Sequence, residues 1–169
     1  MAGLNSTWDD LINQSDGRFL TNAEVKVMQQ YLHTLPTRLK TYELLRDKSE
    51  ALIKQALKKF MLVHPEVMNK HSKRCIYDMT NTVCIMSLSI LKDDERFFQE
   101  MLMLWLANIL TAYQQNVACY KAYSYLQELF QQNLPGAASQ LTQPYMELVL
   151  QSLEAPPKLM ATVQRPGAF

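Results

Sequence analysis

Residues 37–62 read TRLKTYELLRDKSEALIKQALKKFML, and their apolar members fall at Leu39, Leu44, Leu45, Leu52, Ile53, Ala56, Leu57 and Phe60. Spacings of three and four positions put these side chains on one stripe of a helix, whereas a strand would alternate every second residue. Lys54, Lys58 and Lys59 occupy the other face. Asp47 followed by Glu50 has capping-box spacing, so the stretch reads either as one long helix or as two abutting ones. Composition extends the helical reading to the whole chain. With four Gly, seven Pro and ten Met, and few alternating runs of Val, Ile and Thr, little of it suits a pleated sheet. The fold class is all-α.

Upstream, Ser6 to Asn13 is a short amphipathic piece with Trp8, Leu11 and Ile12 on one face, ended by Ser15-Asp16-Gly17. Thr21 and Glu24 form a capping box that opens a second helix carrying Val25, Val27, Met28 and Leu32, and Pro36 interrupts or restarts it. Downstream, Pro65 marks an exit, a helix runs from about Lys70 to Leu91, and Asp93-Asp94 starts the next. Tyr113 to Asn116 separates that helix from an aromatic-rich one at Ala118 to Gln132. Pro135-Gly136 is a turn, Pro144 begins a last helix to about Leu153, and Pro156-Pro157 opens a tail without apolar period. The count is roughly eight helices without an internal repeat. One domain over 1–154 and a flexible tail over 155–169 is the expected organisation.

A chain of 169 residues with 48% apolar content can build one core without disulfides or metal. Seventeen Lys and Arg against sixteen acids give a net charge of +1. That leaves no basic face for nucleic acid, and only Lys70 to Arg74 is locally basic. Three cysteines without paired spacing fit free thiols in a reducing compartment. Met1 to Asp16 lacks the basic start and apolar run of a signal peptide, so an intracellular protein is expected. The most apolar window, Phe97 to Leu110, is broken by Gln99, Glu100 and Asn108. It reads as a core helix with Met101, Met103, Trp105 and Leu106 inside, and not as a transmembrane span.

The chain has no Gly-rich phosphate loop, nucleophile elbow, His-Glu-x-x-His or Cys-x-x-Cys, so an enzyme is not expected. His71 and Cys75 are four apart, but two ligands do not make a metal site. No histidine follows His71 to serve as a proximal haem ligand. What stands out is Cys75-Ile-Tyr-Asp78: a thiol and a carboxylate three residues apart on a helix point into one groove, where one tethers a ligand and the other hydrogen-bonds it. The plainer reading keeps Cys75 as an unmodified packed cysteine and Asp78 as a helix acid paired with Lys73 or Arg74. Cys84 and Cys119 read as core residues. Tyr120, Tyr123, Tyr125 and Phe130 occupy more than one helical face, so some are expected to be exposed and to offer a docking surface.

Several segments resemble the phycobiliproteins, the globin-fold light-harvesting subunits of cyanobacteria and red algae, and most closely the allophycocyanin-like members. They are Gly17-Arg18-Phe19-Leu20-Thr21, Thr37-Arg38-Leu39-Lys40, Leu52-Ile53-Lys54-Gln55-Ala56, His64-Pro65-Glu66-Val67, and the pattern from Cys75 to about Asn116. The likeness spans about residues 5 to 154. It implies a globin-like helical domain with two extra N-terminal helices. It also implies an open-chain tetrapyrrole, a bilin, joined by a thioether to Cys75, with Asp78 accepting hydrogen bonds from the inner pyrrole nitrogens. The family's arginine two residues after the cysteine is Tyr77 here, and Lys73 or Arg74 are the substitutes for pairing a propionate. The segment between Val67 and Cys75 is about eight residues shorter than the family's loop, and the family's tyrosine six past the cysteine is Asn81.

Family subunits pair through their N-terminal helices, using a charge pair whose positions here are Gln14 and Cys84, and a tyrosine that is Leu88 here. Joint loss of both charges is the pattern expected of a chain that pairs with itself or with a similarly altered subunit, since a lone buried charge costs roughly 3–5 kcal/mol. The resemblance thus implies a subunit of the photosynthetic antenna, in contact with phycobilisomes or a photosystem. Its expected place is the cytoplasm or, peripherally, the cytoplasmic face of the thylakoid membrane. The alternative is an unpigmented adaptor or regulator with the same fold and the same docking partners.

Overall fold

A computed structural model describes residues 5–102 and 116–154 of the chain, and among them every regular element is helical. The helices are α1 (Ser6–Ser15), α2 (Asn22–Val63), α3 (Pro65–Lys92), α4 (described over 95–102), α5 (Asn116–Asn133) and α6 (Gly136–Glu154). The expected eight helices are therefore six among the described residues. The readings at Met103, Trp105, Leu106, Tyr113 and the tail from 155 onward lie outside them.

The difference from eight comes from one proline and one acidic pair that do not break α2. Pro36 sits inside α2. Proline withholds one N–H and crowds the preceding turn, but side chains take up carbonyls there. The Thr34 hydroxyl donates to Gln30 O and Tyr31 O at 3.2 Å, and Arg38 Nη2 donates to Tyr31 O at 2.6 Å. Asp47 and Glu50 do not start a new helix; they pair on the solvent side with Arg46 and Lys54. Below them Leu45, Leu52, Ile53, Ala56, Leu57 and Phe60 run unbroken into the core. Pro144 lies within α6, on an exposed position of a helix whose buried stripe is Ala138, Thr142, Tyr145, Met146, Val149 and Leu153.

The expected starts hold where caps define them. The Thr21–Glu24 box is complete: Thr21 N donates to Glu24 Oε2 at 2.7 Å, and Glu24 N donates to Thr21 Oγ1 at 3.3 Å. Arg18 adds two bonds to the same carboxylate, at 2.8 and 3.0 Å, which with the cap bonds holds Glu24 down at about 2. α3 begins earlier than Lys70, because Pro65 occupies its first turn, where a missing N–H is harmless. Helix α2 packs along α3, α5 packs on α2, and α6 packs on α5, α2 and α3. Their shared core includes Phe60, Met86, Ile90, Phe98, Leu126 and Met146, and the expected globin-like all-α fold is the one observed.

One latch fixes the N-terminal helix to this body. Asn5 caps α1 and sends Nδ2 to the carbonyls of Lys92 and Asp93 at 2.8 and 2.6 Å. Asp94, buried, accepts from Ser6 N and Ser6 Oγ at 2.9 and 2.7 Å and caps α4 through Phe97 N at 3.0 Å. Burial pushes this carboxyl upward, but those bonds and the charge of Lys92 outweigh it and leave it below the usual range. Its stabilisation is present above the unfolded value, near 4, and is lost as pH falls through the lower folded one. Asp94→Ala is expected to lose about 2–3 kcal/mol at neutral pH in denaturant titration, from one cap and two unmet donors. The deficit should shrink toward zero as pH drops below about 4.

Candidate functional site

Cys75, Asp78 and Met79 lie on the inner face of α3, and they meet Phe60 of α2, Val67 of α3, Ala118, Cys119, Ala122 and Tyr123 of α5, and Leu153 of α6. These residues line one mostly apolar cavity of about 50 Å³. The i, i+3 spacing brings the thiol and the carboxylate to the same wall. Of the other candidates, Arg74 sits one turn before Asp78, with Nε 2.9 Å from each carboxylate oxygen and donating to Oδ2. Lys73 and Tyr77 fall on the outer face of α3 and do not line the cavity. Tyr77 is 62% exposed, with the Arg74 guanidinium 5.6 Å from its ring.

Asp78 is the electrostatic oddity of the cavity. The residue is buried, and its Oδ1 has no hydrogen-bond partner. Burial raises its pKa, and the bond and charge of Arg74 only partly counter this. A buried carboxylate oxygen that has an ion pair on one side and accepts no hydrogen bond keeps acceptor capacity for an N–H donor that enters the cavity. Burial and the Asp78 charge both push the Cys75 thiol up, so the neutral thiol is favoured over the thiolate.

The folded protein disfavours ionised Asp78, so stability falls as pH rises from the unfolded carboxylate value toward the raised folded one. Asp78→Asn is therefore expected to stabilise the protein at neutral pH by roughly 0.5–2 kcal/mol. The gain should vanish below about pH 4, where the native side chain is already neutral. Guanidinium melts at the two pH values would check it, and a destabilised asparagine variant would show that the ion pair with Arg74 outweighs the cost of burying the charge.

Several site residues escaped the sequence reading. Cys119 was expected in the core, yet it shares the cavity with Cys75, and burial carries its thiol up to about 11. Tyr123 is buried, its hydroxyl 2.9 Å from Thr82 Oγ1, which in turn donates to Asp78 O at 2.9 Å. The i, i+4 spacing of Cys119 and Tyr123 was the available signal. Two expectations are corrected. Cys84 is exposed, because it shares the outer face of α3 with Tyr77, Thr80 and Leu88. None of Tyr120, Tyr123, Tyr125 and Phe130 is exposed. Tyr123 and Phe130 are buried, and Tyr120 and Tyr125 pack half-buried against the core.

Among the described residues no group of three or more His, Cys, Asp or Glu is placed to hold a metal ion. No helix among them is long and apolar enough to cross a membrane. The chain matches the family model for phycobilisome proteins over residues 11–153. No curated protein matches it.

Proposed function

The chain belongs to the phycobilisome protein family, and from that premise we propose that it is a light-harvesting subunit carrying an open-chain tetrapyrrole on Cys75. The observation that supports this most is the buried Asp78, whose Oδ1 is ion-paired with Arg74 but accepts no hydrogen bond, on the same cavity wall as the Cys75 thiol. Cys75 is the covalent anchor through Sγ. Asp78 accepts from the inner pyrrole N–H groups, a charge-assisted bond in a low-dielectric setting. Arg74, with Lys73 and Tyr77 beside it on the exposed side of α3, meets the propionates. The pigment supplies absorption, and the protein supplies rigidity and a defined orientation. A binding and energy-transfer role is the one family membership supports, and catalysis has no assigned residues.

Intact-mass analysis of the protein produced together with a bilin supply tests the attachment. One tetrapyrrole added to the wild type and none to Cys75→Ala supports it; an unmodified wild type refutes it. One observation favours the unpigmented adaptor as a second reading. A cavity of about 50 Å³ is far below the roughly 300–1,000 Å³ of ordinary ligand pockets, so pigment entry requires α3 and α5 to part.

Either role requires a partner. Ile12, Phe19, Val25, Met28, Leu32 and Leu39 are all exposed along α1, the turn after it and the first half of α2. The last four follow helical spacing, and an exposed apolar stripe of this length marks an association surface. We assign it to pairing with a second copy or with a related subunit at the phycobilisome, on the cytoplasmic face of the thylakoid. Leu32→Asp is expected to shift the purified protein from dimer to monomer in analytical ultracentrifugation. A wild type that is already monomeric would point to a related subunit instead of a second copy.

A further inference from the structure

At the corner where α2 gives way to α3, Met61, Leu62 and Val63 are exposed in succession, Leu62 by 86%. Successive helical residues step about 100° around the axis. Three in a row therefore make a blunt apolar end and not the one-sided stripe along which a partner helix lies.

The charge around this end is lopsided. Between positions 54 and 74 there are six Lys and Arg and one acid, Glu66, in a chain whose net charge is only +1. Three of the six are engaged: Lys54 with Glu50, Lys59 with Glu128, and Arg74 with Asp78. Lys58, one turn before Leu62, and Lys70 and Lys73 on α3 are exposed and have no ion-pair partner among the described residues. Glu66 is drawn to His64, with Oε1 3.3 Å from Nδ1.

We propose that this corner docks on an anionic lipid surface, with Met61, Leu62 and Val63 entering the interface and Lys58, Lys70 and Lys73 meeting the headgroups. Apolar insertion and basic attraction are each marginal alone and suffice together. The corner supplies both within about two to three helical turns. The proposal does not require a pigment on Cys75; where one is bound and a propionate takes Lys73, Lys58 and Lys70 supply the basic attraction.

Co-sedimentation of the full chain with vesicles of phosphatidylcholine and phosphatidylglycerol tests it. Binding is expected to the mixed vesicles, to weaken as salt is added, and to be absent from pure phosphatidylcholine. Leu62→Ser with Val63→Ser should weaken binding at least tenfold with an unchanged circular dichroism spectrum. Each of Lys58→Gln, Lys70→Gln and Lys73→Gln should weaken it about fivefold. Failure to bind, equal binding to neutral vesicles, or full binding by the double serine variant overturns the proposal. So does a double serine variant that loses isolated phycobilisomes while neither protein binds lipid, which would make the corner a protein-docking surface.

Discussion

Replacing Arg38 by alanine is expected to destabilise the protein by about 3–5 kcal/mol, lowering the thermal midpoint by roughly 10 °C. Arg38 is 1% exposed, yet no carboxylate pairs with it among the described residues. Its charge is met by neutral groups: Nε donates to Thr34 Oγ1 at 3.2 Å, Nη2 to Tyr31 O, and Nη1 to Leu91 O. The guanidinium carbon lies 4.2 Å from the centre of the Tyr31 ring. Leu91 O belongs to the negative end of the α3 dipole, and an aromatic face also favours a cation. Arg38 thus ties the Pro36 turn of α2 to the end of α3. Alanine would take the side-chain donor from Leu91 O, at about 1–3 kcal/mol, leave Tyr31 O with Thr34 alone, and open a cavity besides. Arg38→Lys should recover little, because one ammonium cannot span three acceptors arranged for a planar fork. An alanine variant within 1 kcal/mol of wild type by denaturant titration would show that this junction is not structural.

Arg38 also shows why the sequence was only partly legible. Helical periodicity over 37–62 and the Thr21–Glu24 box were sufficient for the fold class and for the start of α2. Helix number was not, because no local pattern announces that α2 continues through Pro36, where Arg38 bonds a carbonyl 53 positions away. The same limit applied at the site. Cys75 and Asp78 are neighbours on one helix, so their convergence follows from i, i+3 geometry. Cys119 and Tyr123 reach the cavity from α5, a tertiary fact with no local pattern to announce it. Cys84 was read as core on residue type alone, and its position on the outer face of α3 reversed that. Segment likeness identified the family before any coordinates, because it drew on many segments at once.

Cys75→Ala is expected to have the largest functional effect, complete loss of covalent pigment. In the proposed pigmented form this thiol would supply the bond that survives unfolding, and neither of the other two cysteines is placed to take over. Cys84 faces solvent on the far side of α3. Cys119 lines the same cavity, but its thiol is held up at about 11, higher than the ordinary value by burial and by the nearby Cys75 and Asp78. Asp78→Asn should retain the covalent bond but lose the charge-assisted bond to the pyrrole N–H groups. Such pigment stays attached while its absorption broadens and its fluorescence falls.

The visible absorbance of urea-denatured protein, purified after production with a bilin supply, tests the central claim most directly. Colour that remains with the denatured wild-type chain and is absent from Cys75→Ala is the predicted result. A colourless wild type, or colour retained by the alanine variant, would contradict it.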